Sequence, residues 1–258
     1  MELNVGIRGF KQGTRINEIK VPARLRERYL TSVKWFDEAM GGEGLVPTSA
    51  VMITGDPGAG KSTLARQIAD SVTEAGHICL YNTGEESLYQ VSMKVETMKL
   101  KGNFICGQDT MISKMLEHAD NIRKANPNKQ LFLVQDSLQT LNDGKYADGA
   151  ITNGTIKRCA EMLVDYAQTK FACVLVVGQV TKDGKFAGPN VVKHAFDGHA
   201  EIYFDEDKKS DTWGERLFEV SKWRWGCSGK TYIVSMGKGG TLHEKGHFSR
   251  VREDQSET

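Results

Sequence analysis

The sequence predicts an α/β fold: a mostly parallel sheet between helices, with antiparallel strands added at its C-terminal edge. Three observations carry this. Short runs that are apolar throughout recur along the chain. Segments with apolar residues three and four apart separate them. After Gly198 the pattern changes to alternating strands joined by polar turns. Continuously apolar strands belong to a parallel sheet covered on both faces, whereas alternation marks strands with one face toward water.

The elements follow in order. Thr31 or Ser32 can cap a short helix in which Trp35, Phe36 and Met40 supply the apolar face and Gly41-Gly42 stop it. Residues 50–54 (AVMIT) form a strand, and residues 62–73 a helix with Leu64, Ile68 and Val72 on one stripe. Residues 78–81 give the next strand and 88–98 the next helix. A third helix covers 109–124, where Met111, Met115, Leu116 and Ile122 share a face. The strand 131–134 (LFLV) begins after the turn cluster Asn126-Pro127-Asn128. A helix over 156–169 and a strand over 172–177 complete the parallel part. The stretches 202–204, 216–220 and 232–236 are the expected antiparallel additions.

A chain of 258 residues holds one large domain, or one with an appendage. Residues 1–30 carry seven Lys/Arg and three acids, which suits a solvated arm or linker better than a nucleic-acid contact, since aromatics are sparse there. Residues 31–249 form the expected domain and 250–258 a charged tail. With 39% hydrophobic and 26% charged residues the chain can bury a core. A net charge of +1 means that any basic surface must be local. No apolar run approaches the roughly 18–20 residues that cross a bilayer, and the first residues lack an apolar leader, so no membrane contact is expected. The five cysteines are scattered without a C-x-x-C pair, which argues against zinc and for reduced thiols in the cytoplasm.

Chemistry enters at Gly55-Asp56-Pro57-Gly58-Ala59-Gly60-Lys61-Ser62, which fits G-x-x-x-x-G-K-[ST] between a strand and the helix that continues through Thr63. Such a loop wraps its amides around phosphate oxygens, and the helix N-terminus adds partial positive charge. Lys61 can reach the β- and γ-phosphates of ATP and the Ser62 hydroxyl can bind Mg²⁺. Asp136 ends an apolar strand and is the expected second anchor of the Mg²⁺ shell. Ser137 follows it, so a hydrolytic base must come from elsewhere. Glu85 and Glu86, just past the strand 78–81, supply two carboxylates at an edge where ligands of open α/β sheets bind. Glu85 is the first choice to polarise water and Glu86 the second; a charged helix start explains the pair equally. Gln179 at a later strand tip either senses the γ-phosphate or is a satisfied polar residue. Asn128-Lys129-Gln130-Leu131 breaks the guanine-reading Asn-Lys-x-Asp pattern, and LSGGQ is absent, which removes the GTPase and ABC classes.

These residues resemble the RadA/Sms family of RecA-fold ATPases of DNA repair and recombination, from about Arg15 to Leu242. The resemblance includes Gly41-Gly42-Glu43-Gly44-Leu45-Val46-Pro47, the phosphate loop, Gly84-Glu85-Glu86-Ser87-Leu88, Gln135-Asp136-Ser137-Leu138-Gln139-Thr140-Leu141, Val180-Thr181-Lys182-Asp183-Gly184, Ala187-Gly188-Pro189-Asn190-Val191 and His194. Lys222-Trp223-Arg224-Trp225-Gly226 looks like that family's Lys-Asn-Arg-Phe-Gly motif. The resemblance implies a RecA-like core and a homo-oligomer, a hexameric ring, that moves on single-stranded DNA beside recombination or replication proteins. It also implies that Lys222 and Arg224 reach a neighbour's ATP as fingers. Read from the residues alone, the same segment is a strand with two cations on one face, able to decorate an edge or stack on bases. The sequence departs from the family in its strand-tip Gln179, where the family has His, and in the two tryptophans. It reads as the ATPase core without the family's zinc module and Lon-protease-like domain, in a bacterial cytoplasm and of cellular or phage origin.

Contacts to DNA are expected from two Gly-rich loops: 141–154, with Lys145 and Tyr146, and 181–195, with Lys182, Lys185, Phe186 and Lys193. Solvated loops are the competing account. Three functional classes stand: a DNA-stimulated motor, an ATP-switched filament or loading factor without translocation, and a metabolite kinase.

Overall fold

The computed structural model describes Gly13 and residues 15–147, 149–180, 191–227 and 229–249. One nine-stranded sheet runs through it. The strands are β1 (Ala50–Gly55), β2 (Ile78–Thr83), β3 (Ile105–Gly107), β4 (Leu131–Asp136), β5 (Cys173–Val177), β6 (Gly198–Phe204), β7 (Arg216–Trp223), β8 (Lys230–Met236) and β9 (Leu242–Ser249). Their order is β3-β2-β4-β5-β1-β6-β7-β8-β9. The pairs from β3 through β6 are parallel, and those from β6 to β9 antiparallel. The helices are α1 (Lys34–Ala39), α2 (Lys61–Glu74), α3 (Leu88–Thr97), α4 (Ile112–Ala125), α5 (Asn153–Lys170) and α6 (Val191–Ala195).

Strand β1 shows why the central strands are apolar throughout. Val51 and Ile53 point into a core with Trp35, Phe36, Leu64, Ile68, Phe218 and Tyr232. Ala50 and Met52 point to the other face, into a core with Met115, Leu133, Leu163, Val174 and Phe196. Successive side chains of a strand alternate between faces, so a sheet buried twice needs both sets apolar. Among the described residues no helix is long and apolar enough to cross a membrane.

Several expectations shift. Helix α1 is not capped by the side chains of Thr31 or Ser32. Its own Asp37 reaches back, accepting from the Thr31 amide at 2.9 Å, the Thr31 hydroxyl at 2.8 Å and the Ser32 amide at 3.0 Å. Helix α4 starts at Ile112 rather than at 109, because Asp109 is held to β2: its amide donates to Asn82 Oδ1 at 2.9 Å, and its carbonyl accepts from Asn82 Nδ2 at 2.9 Å. Strand β6 starts at Gly198 and is parallel to β1, so the antiparallel addition begins only at β7. Strands β3 and β9 carry no alternation that would announce them. β3 has three residues, and β9 is mostly exposed, with His243, Glu244, Lys245 and His247 facing solvent.

The close approach of β1 to β6 sets the phosphate loop. Gly55 has φ +142°, and a Cβ there would lie 1.7 Å from the Ile202 carbonyl oxygen. Gly55→Ala must therefore separate β1 from β6. It is expected to cost at least the ~1–3 kcal/mol of an overpacked core, read as a lower urea midpoint with an unchanged slope.

Candidate functional site

The phosphate loop joins β1 to α2 at the carboxyl edge of the parallel strands. Its root is fastened to β6: the Asp56 amide donates to Ile202 O at 3.1 Å, and Asp56 Oδ2 accepts from the Phe204 amide at 2.9 Å. Pro57 and Gly58 are exposed at its tip, while Ala59 is buried beneath. Gly58 and Gly60 have φ of 78° and 107°, conformations that glycine adopts at little cost. No side chain caps α2, whose N-cap is Gly60, so the first amides, those of Lys61, Ser62 and Thr63, are available to an anion. Lys61 Nζ donates to the carbonyls of Gly55 at 2.7 Å and Asp56 at 2.8 Å. Burial pulls its pKa down, against the pull of Asp136, Asp56 and Glu85.

A cavity of about 360 Å³ opens here, lined among others by Lys61, Ser62, Glu85, Asp136, Ser137 and Gln179. Asp136 is buried at the tip of β4 and accepts from the Tyr81 hydroxyl at 2.6 Å. Burial raises its pKa, opposed by hydrogen bonds from Tyr81 and Ser62 and by the charge of Arg66. A buried carboxylate beside a hydroxyl, both hard oxygen donors, fits a divalent cation of the Mg²⁺ type. Among the described residues no group of three His, Cys, Asp or Glu could hold a metal. Mg²⁺ is commonly held by one or two protein oxygens, with phosphates and water completing its shell.

The two neighbouring glutamates separate. Thr83 Oγ1 accepts from the amides of Glu85 at 3.3 Å and Glu86 at 3.4 Å, folding a turn that sends their side chains apart. Glu86 joins Arg66 of α2 at 3.2 Å and also pairs with Lys94. Glu85 lines the cavity instead, where its Oε1 accepts from the Ser137 hydroxyl and from Gln179 Nε2 at 2.6 Å. The backbone N–H of Gln179 in turn donates to Gln139 Oε1 at 3.1 Å. Sequence reasoning misses Ser137 and Arg66. The only signal for Ser137 is its place beside Asp136, where a second acid is looked for and not found.

Lys222 and Arg224 do not line this cavity. Trp223 pairs with Gly198, and Gly198 with Val51 near the start of β1, so the motif lies at the sheet edge opposite the phosphate loop. Strand β7 runs three residues past the expected 216–220 and ends at Trp223, while Arg224 and Trp225 occupy the turn beyond it rather than a strand. Trp223 is buried on Gly198, where a Cβ would come within 2.7 Å of its ring, and Trp225 is exposed. Lys222 Nζ donates to the carbonyls of Phe196 at 2.6 Å and His194 at 3.0 Å. Arg224 keeps a loose 3.5 Å contact with Asp197, its side chain 55% exposed.

Of the residues expected to meet DNA, Lys145 and Tyr146 are exposed. Lys193 pairs with Glu201 at 2.9 Å. Lys182, Lys185 and Phe186 lie outside the described residues. Behind Lys193 sits a polar chain that no sequence signal announced: Thr54 Oγ1 contacts His199 Nε2 at 2.8 Å, and His199 Nδ1 contacts Ser221 Oγ at 2.7 Å. Burial, with Lys193 close by, pulls the His199 pKa down to about 4, so the ring is neutral at pH 7.

Comparison with known proteins agrees with this geometry. The family model described as "ATPase: KaiC" matches residues 29–240. DNA repair protein RadA of Rickettsia conorii is 35% identical over 215 residues, which are 83% of this chain and 46% of that protein. The RadA protein of Rickettsia felis is 33% identical over 234 residues, 90% of this chain and 50% of its own length. The chain thus spans about half the length of the curated relatives it matches. Among solved structures, a DnaB-like replicative helicase superposes with a TM-score of 0.70 at 15% identity, over 83% of this chain and 61% of that one. A KaiC-like protein of Pyrococcus horikoshii superposes with a TM-score of 0.67 at 18% identity, over 84% of this chain and 99% of that one. These likenesses bear out the RecA-like P-loop fold and the resemblance to RadA. With a model that matches most of its length around an intact phosphate loop, the chain belongs to the KaiC-type family of ATPases.

Proposed function

We propose that this ATPase is a DNA-stimulated motor, a homo-oligomeric ring of the hexameric kind that acts on single-stranded or branched DNA in repair, recombination or replication. The observation that carries the reading is the 2.6 Å hydrogen bond from Gln179 to Glu85. It ties the general base to the strand tip that leads into residues 181–195, so a strand of DNA held by those residues acts on the group that controls hydrolysis. The names of the RadA relatives and of a DnaB-like replicative helicase with the same fold support the substrate class.

In this mechanism the loop amides and Lys61 grip the triphosphate, and Ser62 and Asp136 would hold Mg²⁺. The ion, when bound, neutralises phosphate charge and orients the leaving group. Glu85 takes a proton from the attacking water, with Ser137 and Gln179 fixing its carboxylate. Arg224, remote from its own cavity and loosely paired, supplies charge to a neighbour's site. The proposed partners are a second copy and single-stranded DNA, within a bacterial cytoplasm.

Turnover measured with and without single-stranded DNA tests the reading: a several-fold rise is expected, and indifference to DNA would overturn it. A strand-separation assay on forked DNA then distinguishes a motor from an ATP-gated clamp. The shared site has its own test. Arg224→Ala and Lys61→Ala should each be inactive alone. Random 1:1 mixing across head-to-tail interfaces restores roughly a quarter of the sites, each with both groups. A mixture as dead as its components would return Arg224 to an edge role.

A further inference from the structure

A second polar hollow, of about 320 Å³, lies at the other end of the sheet. Leu131 lines it and Asp136 lines the phosphate cavity, and the five strand steps between them span about 17 Å. Five cations surround it: Arg24 from the 3-10 turn Ala23–Arg26, Arg123 and Lys124 at the end of α4, Lys129 in the turn before β4, and Lys170 at the end of α5. In a chain with a net charge of only +1, this is a concentration of one sign.

Local structure explains part of it. Cations near a helix C-terminus favour the carbonyl end of the dipole, which accounts for Arg123, Lys124 and Lys170. Asp120 pairs with Arg123 at 2.7 Å and with Lys124 at 2.8 Å. Neither argument covers Lys129 or Arg24, and among the described residues Arg24, Lys129 and Lys170 have no carboxylate partner. The floor is also unusual. Phe171 takes the left-handed conformation at φ 57°, where glycine commonly ends a helix, and the Arg24 guanidinium stacks 4.2 Å above its ring. Gln130 Nε2 donates to the Phe171 carbonyl at 2.8 Å and holds that turn.

We propose that this hollow binds the phosphate backbone of a second nucleic-acid segment, apart from the one expected at the loops near the ATP cavity. Compact phosphate sites are built from amides at helix N-termini. Here both helices present their carbonyl ends, so the positive charge that meets a ligand comes from long side-chain cations spread over four segments. That arrangement suits a polyanion whose phosphates repeat along a chain, and the Arg24–Phe171 stack offers a flat cation for a base or sugar to cover. The proposal rests on the DNA-acting reading and extends it: a protein that works at a junction needs a hold on the duplex as well as on the strand.

The test compares wild type with Lys129→Glu/Lys170→Glu, using forked DNA and oligo-dT at several salt concentrations. The double variant should bind the fork at least tenfold more weakly at about 100 mM salt, with a salt slope lower by about two charges. Oligo-dT affinity and turnover without DNA should stay within twofold. Lys129→Gln/Lys170→Gln should lose roughly half as much, with thermal unfolding unchanged in both. A fork affinity and slope equal to wild type would overturn the site, as would parallel losses on oligo-dT. Competition by polyglutamate as strong as by duplex DNA would assign the hollow to an acidic protein. Wild type that binds no DNA at all would remove the functional reading with it, whereas unchanged variants beside a DNA-binding wild type would remove this site alone.

Discussion

Glu85→Gln is expected to keep ATP binding while lowering turnover by about 10²–10⁴-fold, the usual contribution of a positioned general base. The replacement is isosteric, and its amide oxygen can still accept from Ser137 and Gln179, the two donors to Oε1. What disappears is the ability to take a proton. Single-turnover hydrolysis beside equilibrium binding of ATP separates these effects. Glu86→Gln is the natural control. Arg66 is 2% exposed, and Glu86 and Lys94 make an ion-pair cluster with it, so that change should lower stability through an uncompensated buried cation. Equal turnover in Glu85→Gln and wild type would remove the base from this position.

Lys61→Ala should bring turnover to background and weaken ATP binding by over a hundredfold, since a charge-assisted hydrogen bond to phosphate contributes about 1.5–3 kcal/mol and the ammonium is expected to reach two phosphates. The lysine also holds its own loop through Gly55 and Asp56, so loop order falls with charge. Burial keeps its pKa below the ordinary 10.5. Phosphate binding needs the protonated form, so wild-type affinity should decline with rising pH earlier than it would for an exposed lysine, and the variant should lack that decline. Isothermal titration with ATP across alkaline pH reads both. Retained affinity in Lys61→Ala would place the phosphates elsewhere.

What the sequence makes legible is local. The phosphate loop is eight consecutive residues, and the flanking strand and helix that give it meaning are read from the same short stretch. The central strands announce themselves because both their faces are buried. Partnership is not local: periodicity says that residues 202–204 are a strand but not that β6 lies parallel to β1, which depends on Gly55 meeting Ile202. Glu85 and Glu86 are indistinguishable as neighbours in a sequence. They part because Thr83 turns the chain and because Arg66, twenty residues before Glu86, stands ready to take one of them. The pairing of Lys193 with Glu201 is likewise out of reach of any local pattern, because Glu201 stands on the strand that follows α6.

The last strand, β9, has a consequence for how copies of this molecule meet. An unpaired strand margin is a template onto which other chains can stack without limit. Here that margin carries His243, Glu244, Lys245 and His247, with Lys245 tied to Glu215 at 2.5 Å. Charges so placed, among the described residues, discourage the unlimited edge-to-edge growth that an apolar margin would invite.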